Sequence, residues 1–205
     1  MKLLLLRHGE SEANAAELLS SKPSDPYGLT GKGIKQVKDA THKLHGHIDC
    51  IYISPLKRTL QTADIVATTL GDAPRTIIDD RIREIDYGIY SGHPNNPELD
   101  VVRKAQVEGD YHVRFGVNGE NKYDIELRLY DMLIELLETY TNDQTVLLIS
   151  HGSITGWLER IIFAVSRDRK EHKAVQNGDM RKYELSTMYI PALDKLRSEL
   201  RKHGN

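Results

Sequence analysis

The sequence predicts an α/β protein: a three-layer α/β/α sandwich around a mainly parallel central sheet. Short apolar runs alternate with longer amphipathic stretches through most of the chain, the order in which parallel strands and their crossover helices follow one another. No internal repeat and no linker divides the 205 residues, so one domain spanning 1–205 is expected, long enough to bury a sizeable core.

Taken in order, Leu3 to Leu6 reads as a buried strand. Thr30 is placed to cap a helix carrying Ile34, Val37 and Leu44 on one face. Ile48 to Ile53, rich in branched residues, reads as a second strand, and Leu56 to Leu70 as a helix whose Leu60, Ala63, Ala67 and Leu70 recur at threes and fours. Thr76 to Ile78 is a third short strand. Residues 89–123 break the rhythm with Pro94, Asn95, Asn96, Pro97 and several glycines, and read as an insertion with limited regular structure. Apolar residues at 129, 132, 133, 136, 137 and 140 form the clearest amphipathic helix. Val146 to Ile149 is another buried strand, Ile154 to Val165 another helix, and Tyr183 to Ile190 a last strand. Leu193, Leu196 and Leu200 mark a terminal helix entered through Pro191.

Composition narrows the function classes. The net charge of −2 provides no global basic field, which argues against nucleic acid or an anionic membrane as a partner. Met1 to Leu6 is too short for a signal segment, and no apolar run approaches the length of a membrane span. The lone Cys50 excludes an internal disulfide and suits a reducing compartment, so a cytoplasmic address is expected.

In open α/β sheets, ligands bind outside the carboxyl ends of the strands. Arg7, His8 and Gly9 follow the first strand, and Ser54, Pro55 and Arg58 the second; Ser150, His151 and Gly152 follow the Val146 strand. The link after Ile78 carries Arg83 and Glu84. If the sheet forms as read, Arg7, Arg58, His8, His151 and Glu84 converge on one rim. Two guanidiniums and an imidazole near helix N-termini suit a compact dianion, and fixed positive charge supplies most of the catalysis of phosphoryl transfer. A neutral histidine is a competent nucleophile toward phosphorus, and surrounding cations hold its pKa down. Glu84 is then placed to protonate the leaving oxygen, with its pKa raised by the nearby dianion.

The segments "LRHGES" with Asn14 three residues on, "LTGKGIKQ", "SPLKRTLQTA", "REIDYG" and "ISHGS" together resemble, in order and spacing, the histidine phosphatase superfamily, also called phosphoglycerate mutase-like. The resemblance runs from Leu3 to about Trp157, with a weaker echo from Asn177 to Leu185. It implies the phosphoglycerate mutase-like fold, a covalent phosphohistidine on His8, and phosphoryl oxygens held by Arg7, Arg58 and His151. It further implies that Asn14 lines the phosphate pocket, that Thr30 and Gly33 shape the loop and helix start beside it, with Thr30 among the phosphate-binding residues, and that Glu84 is the proton donor. Gly152 after His151 departs from the acid-phosphatase and phytase branch, where an aspartate there is the usual donor, and so favours Glu84.

Several simpler readings stand beside these. Asn14 and Thr30 equally suit plain helix caps. "TGKG" lacks the spacing of a phosphate loop. His42, His45 and His47 have ligand-like spacing that suits zinc, but on a polar helix end with no cysteine or third acidic partner nearby they read as solvated. Tyr87 and Tyr90 suit either substrate stacking or loop packing, and Arg103 and Lys104 sit in a mixed-charge stretch that reads as solvated. No acidic cluster at the strand ends is available for a divalent ion, so neither metal nor cofactor is expected.

The favoured activity is hydrolysis of a small phosphomonoester. The alternatives are a phosphoglycerate mutase-type transfer on the same site, or a non-catalytic phospho-ligand module on the same fold. The tryptophan and the "TGLNK" segment of true mutases are absent, Glu12 and Ala13 precede Asn14, and "GVNGEN" at 116–121 partly resembles the Gly-Gly-Glu-Ser segment of phosphatase-like members. Selectivity is expected from residues 89–123.

Overall fold

A computed structural model describes residues 1–71, 74–166 and 173–204. Its centre is a five-stranded sheet of β1 (Lys2–Arg7), β2 (Cys50–Ile53), β3 (Arg75–Ile78), β4 (Thr145–Ser150) and β5 (Met180–Glu184), in the order β3-β2-β4-β1-β5. All neighbours are parallel except β5, which runs antiparallel along β1. The helices are α1 (Glu12–Ala15), α2 (Gly31–Thr41), α3 (Lys57–Leu70), α4 (Pro97–Glu108), α5 (Lys122–Thr139), α6 (Gly152–Ser166) and α7 (Ile190–His203).

The leucine run of β1 shows why the sheet needs two helical layers. Successive side chains alternate faces. Leu3 and Leu5 enter a core closed by α5, α6 and α7, through residues such as Leu133, Leu158 and Leu193. Leu4 and Leu6 enter a second core under α2 and α3, with Val37, Ala40, Ala63 and Val66. A strand covered on both sides has no polar face, hence the unbroken apolar run. Register does the rest. Arg7 pairs with Ser150 and Ile53 with Ile149, so the carboxyl ends of β1, β2 and β4 finish level on one rim.

Three expectations need correction. Residues 89–123 contain a full helix, α4. The Asn-Pro pair read there as a chain breaker is its start: the Asn96 side chain accepts from the Leu99 amide at 3.2 Å, and Pro97 occupies the first turn. The expected strand from Tyr183 to Ile190 is instead β5 ending at Glu184, a 3-10 turn at Thr187–Tyr189 and the start of α7. Ile34 is exposed, because the buried stripe of α2 is Gly33, Val37, Ala40 and Thr41, and Ile34 sits on the outer edge of that stripe.

That rotation of α2 has a cause at Gly33. A Cβ there would lie 2.1 Å from the Glu10 carbonyl oxygen, and one on Gly9 would lie 2.2 Å from the Gly33 oxygen. The loop after β1 and the first turn of α2 are in backbone contact, which only two glycines permit. Among the described residues no helix is long and apolar enough to cross a membrane. Gly33→Ala is expected to destabilise the protein, although alanine is favoured over glycine inside a helix by about 1 kcal/mol. Denaturant unfolding checks this, and a midpoint at or above wild type would mean that the contact can relax.

Candidate active site

β1 delivers His8 to the rim, where it is 2% exposed. Its Nδ1 lies 2.6 Å from the Gly9 carbonyl, which can only accept, so Nδ1 carries the proton and Nε2 is bare. Arg58 Nε donates to that lone pair at 3.0 Å. Arg58 comes from the first turn of α3, and the turn before it is tied by Thr59 Oγ1 donating to the Ser54 carbonyl at 2.8 Å. Three further bonds leave one Nη1 hydrogen without a described partner. Nη1 donates to Ser20 Oγ at 2.9 Å, and Nη2 to the Ser20 carbonyl at 2.9 Å and to His151 Nδ1 at 3.0 Å.

His151, at the end of β4, is therefore in the opposite tautomer. Its Nδ1 accepts from Arg58, so Nε2 carries the proton and donates to Ser54 Oγ at 2.7 Å. The two imidazoles meet edge to face with ring centres 5.1 Å apart. Burial and the Arg58 charge hold both well below the ordinary histidine range, with Arg7 adding to the effect on each. Both rings are neutral.

Arg7 lies against the start of α6. A Cβ at residue 152 would come within 3.1 Å of its guanidinium, so Gly152 leaves the room it occupies. Nη1 donates to the Val175 carbonyl at 2.6 Å, while Nε is buried with no partner. An orphaned, charged donor beside a bare imidazole nitrogen fits an anion's oxygen.

Glu84 follows a 3-10 turn at Asp80–Ile82, and its Oε1 accepts from the Ile85 amide at 2.9 Å. Burial pushes its pKa up, against the opposing pull of Arg58, the Ile85 amide, Arg7 and Arg128. The segment is pinned by Glu120, also buried, which accepts from Arg83 Nη2 at 2.8 Å, the Asp86 amide at 2.9 Å, and Arg128 Nε and Nη2 at 2.9 and 3.0 Å.

A cavity of ≈ 360 Å³ brings together Arg7, His8, Asn14, Arg58 and Glu84. Asn14 proves to be cap and pocket wall at once: it closes a capping box with Ser11, and its Oδ1 accepts from Ser11 and from Asn177 Nδ2 at 3.1 Å, which leaves its Nδ2 donor for a ligand. Two expected residues do not line the cavity. His151 is fully buried behind Arg58 and, in this tautomer, offers a ligand no donor on Nδ1. Thr30 acts as the cap of α2, accepting from the Gly33 amide at 3.0 Å and donating to Glu10, so its hydroxyl shapes the loop and does not reach the pocket. Ser11, Ser20, Tyr87 and Ser153 line the cavity without having been singled out for the phosphate. Ser11 sits inside "LRHGES" and was legible there; Ser20 carries no local signal. Among the described residues, no group of His, Cys, Asp and Glu gathers as a metal site, and His42, His45 and His47 are exposed.

Neutral imidazoles and guanidiniums meet at the carboxyl rim of a mainly parallel sheet, in an α/β protein with a cationic pocket. More narrowly, residues 3–189 match the histidine phosphatase superfamily (branch 1), and the chain belongs to that superfamily. It is 32% identical, over 77% of its length and 73% of the relative's, to a probable phosphoglycerate mutase, GpmB, of Yersinia pestis. Among solved structures, a putative alpha-ribazole-5'-P phosphatase of Escherichia coli superposes with a TM-score of 0.70 at 25% identity, covering 89% of each chain. YhfR of Bacillus stearothermophilus superposes at 0.72 with 23% identity, covering 90% of this chain and 91% of that one. The superfamily's members are phosphatases or mutases.

The two depressed histidines make stability depend on pH. Both stay neutral in the fold but take up protons in the unfolded chain below about pH 6.5, so stability is lost as pH falls through that value. Glu84 has the opposite sign, since its raised pKa lets the fold take up a proton first. In a Glu84→Gln background, going from pH 7 to 5.5 is expected to cost about 2 kcal/mol, roughly half of it removed by His8→Asn. Unfolding curves in phosphate-free buffer at the two pH values measure this; a pH-independent midpoint would contradict it.

Proposed function

We propose that this protein is a phosphomonoesterase acting through a phosphohistidine on His8. The observation that carries the reading is the bare His8 Nε2, held by Arg58 Nε at 3.0 Å beside the unpartnered Nε of Arg7. In the first step Nε2 attacks phosphorus, the N–P bond forms, and the ester P–O bond breaks. Glu84, whose pKa burial raises, gives its proton to the departing oxygen. Arg7 and Arg58 neutralise the equatorial oxygens. His151 acts through Arg58, whose Nη2 donates to its Nδ1 at 3.0 Å and is thereby aimed at the phosphoryl oxygens. In the second step Glu84, now a carboxylate, takes a proton from water as it attacks; the N–P bond breaks and inorganic phosphate leaves. The substrate class is a small phosphorylated molecule, and a reducing cytoplasmic setting accords with the single, buried Cys50.

A mutase returns the phosphoryl group to a second substrate oxygen instead of to water, and shares the first step. The 32%-identical relative named as a mutase favours that second reading. The missing tryptophan after Ser11 and the missing "TGLNK" segment favour hydrolysis.

Rapid quench with a radiolabelled phosphate ester is expected to leave acid-labile label on His8 and to release inorganic phosphate in step with turnover. Label on another residue would refute the covalent step, and transfer to an acceptor without free phosphate would establish the mutase.

Glu84→Gln is expected to cut kcat/KM for an alkyl phosphate by about a hundredfold to ten-thousandfold, and far less for 4-nitrophenyl phosphate, whose leaving group needs no proton. Arg58→Ala slows both alike, since it serves the phosphoryl oxygens whatever departs. Wild-type activity on the alkyl ester falls as pH rises through the raised Glu84 pKa, and that limb vanishes in Glu84→Gln. Equal losses on both esters would assign the proton donor elsewhere.

A further inference from the structure

A second cavity of ≈ 180 Å³ adjoins the first, sharing Tyr87, Gly152 and Ser153 as a common wall. Its position follows from the chain. Glu84 faces the phosphate pocket, and the next residue, Ile85, faces this one. Resting on the phosphomonoesterase reading, in which Glu84 marks the side from which the alcohol departs, the second cavity is where the rest of the substrate goes.

The walls are α4 and one face of α6. Gly152, Gly156 and Arg160 recur at intervals of four, so they line one face of α6 running outward from the phosphate. Gly156 adds no side chain to that face, while the space over Gly152 is taken by Arg7. Ile85, Phe115, Val107 and Trp157 supply the apolar half of a mixed lining, with Tyr87, Gln106 and Ser153 among the polar half. The groove ends on two arginines in different states. Arg103 lies over the Tyr87 ring, 5.7 Å from its centre, with Nη1 engaged by Asp100 and Asn95 at 2.7 Å each. Arg160 is exposed, lies 6.0 Å from the Trp157 ring centre, and has no hydrogen bond or ion pair with any described residue. A cation that no described residue neutralises, at the end of a partly apolar groove, recognises an anion.

We propose that this cavity is a leaving-group subsite selecting phosphate esters whose alcohol half joins an apolar, ring-sized body to a second anionic group that pairs with Arg160. Eight residues of helix separate Gly152 from Arg160, about 12 Å, and helical side chains lean back toward the N-terminus, so the second anion sits about 8–12 Å beyond the phosphate. That span is too long for a three-carbon phosphoacid and needs an intervening ring. Either a carboxylate or a second phosphate supplies the charge.

Non-hydrolysable phosphonates test the subsite apart from catalysis. Calorimetry would compare 4-(2-carboxyethyl)benzylphosphonate with its neutral match 4-propylbenzylphosphonate, with a 4-(2-phosphonoethyl) analogue to separate the two anions and 3-phosphonopropionate as the short control. The wild type is expected to bind the carboxyethyl compound about tenfold more tightly than the propyl one, with the difference shrinking at high salt. Arg160→Gln should erase that preference and Arg160→Lys keep part of it. The short control should show no dependence on Arg160. Equal binding of the matched pair, a preference that survives Arg160→Gln, or no binding of either compound would overturn the proposal. Absence of turnover on the matching phosphate ester counts against the phosphomonoesterase reading alone, because the binding ratio still decides the subsite.

Discussion

Everything at the rim is arranged around the Arg58 guanidinium. It is a buried cation whose four hydrogen bonds go to neutral acceptors: two imidazole nitrogens and the hydroxyl and carbonyl of Ser20. Among the described residues no carboxylate hydrogen-bonds to it, although Glu84 and Asp25 attract it from further off. Burying a charge is costly, and neutral partners meet only part of that cost. The same contacts force both imidazoles to stay unprotonated, since a second cation at hydrogen-bond distance would meet repulsion without solvent to screen it. One arginine, with the Gly9 carbonyl at His8, therefore sets the tautomers of His8 and His151, keeps His8 Nε2 unprotonated and leaves the site positively charged.

Holding such a group requires a frame that cannot relax. The level finish of β1, β2 and β4 supplies it, because each of those strands carries one of the three residues, or the turn leading to it, and the strands are buried on both faces. The glycines are the complement of this rigidity. Gly9 and Gly33 let two backbones touch, and Gly152 makes space for Arg7 over the first turn of α6, where the helix dipole also favours an anion. Small residues occur where charged ones must come close.

How much of this was legible in the sequence follows from the range of the forces involved. Arg7, His8, Arg58 and His151 could be grouped because strand ends in a parallel sheet share one rim whatever the remaining details. Ser20, which takes two of the Arg58 bonds, could not: it lies in the loop between α1 and α2, and only the folded chain carries it there. Helix α4 was hidden by its own start signal, since Asn-Pro serves equally as a chain breaker and as a cap followed by a first-turn proline. Thr30 was half legible. Its capping role is local and came through, while its distance from the pocket depends on how α2 is rotated, which Gly33 fixes by a contact with a residue far away in sequence. Glu120 gave only a faint signal within "GVNGEN", because its partners lie in two other segments, Arg83 and Asp86 before it and Arg128 in α5.

Glu120 also shows why residues 89–123 cannot be treated as a detachable specificity element. The segment contributes α4, which walls the cavity beside the phosphate pocket, and it contributes the carboxylate that ties down the strip holding Glu84. Gly88 and Gly119 bind the two parts together: a Cβ on Gly119 would lie 2.2 Å from the Phe115 carbonyl oxygen and 2.7 Å from that of Asp86, and one on Gly88 would lie 2.7 Å from the Gly119 amide. A change in α4 that shifts this backbone moves Asp86 and, two residues earlier, Glu84. Selectivity for the alcohol and placement of the proposed proton donor are thus mechanically coupled. Within this fold, new substrates are more readily reached by changing side chains on the exposed turns of α4 and α6, such as Val107 and Arg160, than by exchanging the segment whole.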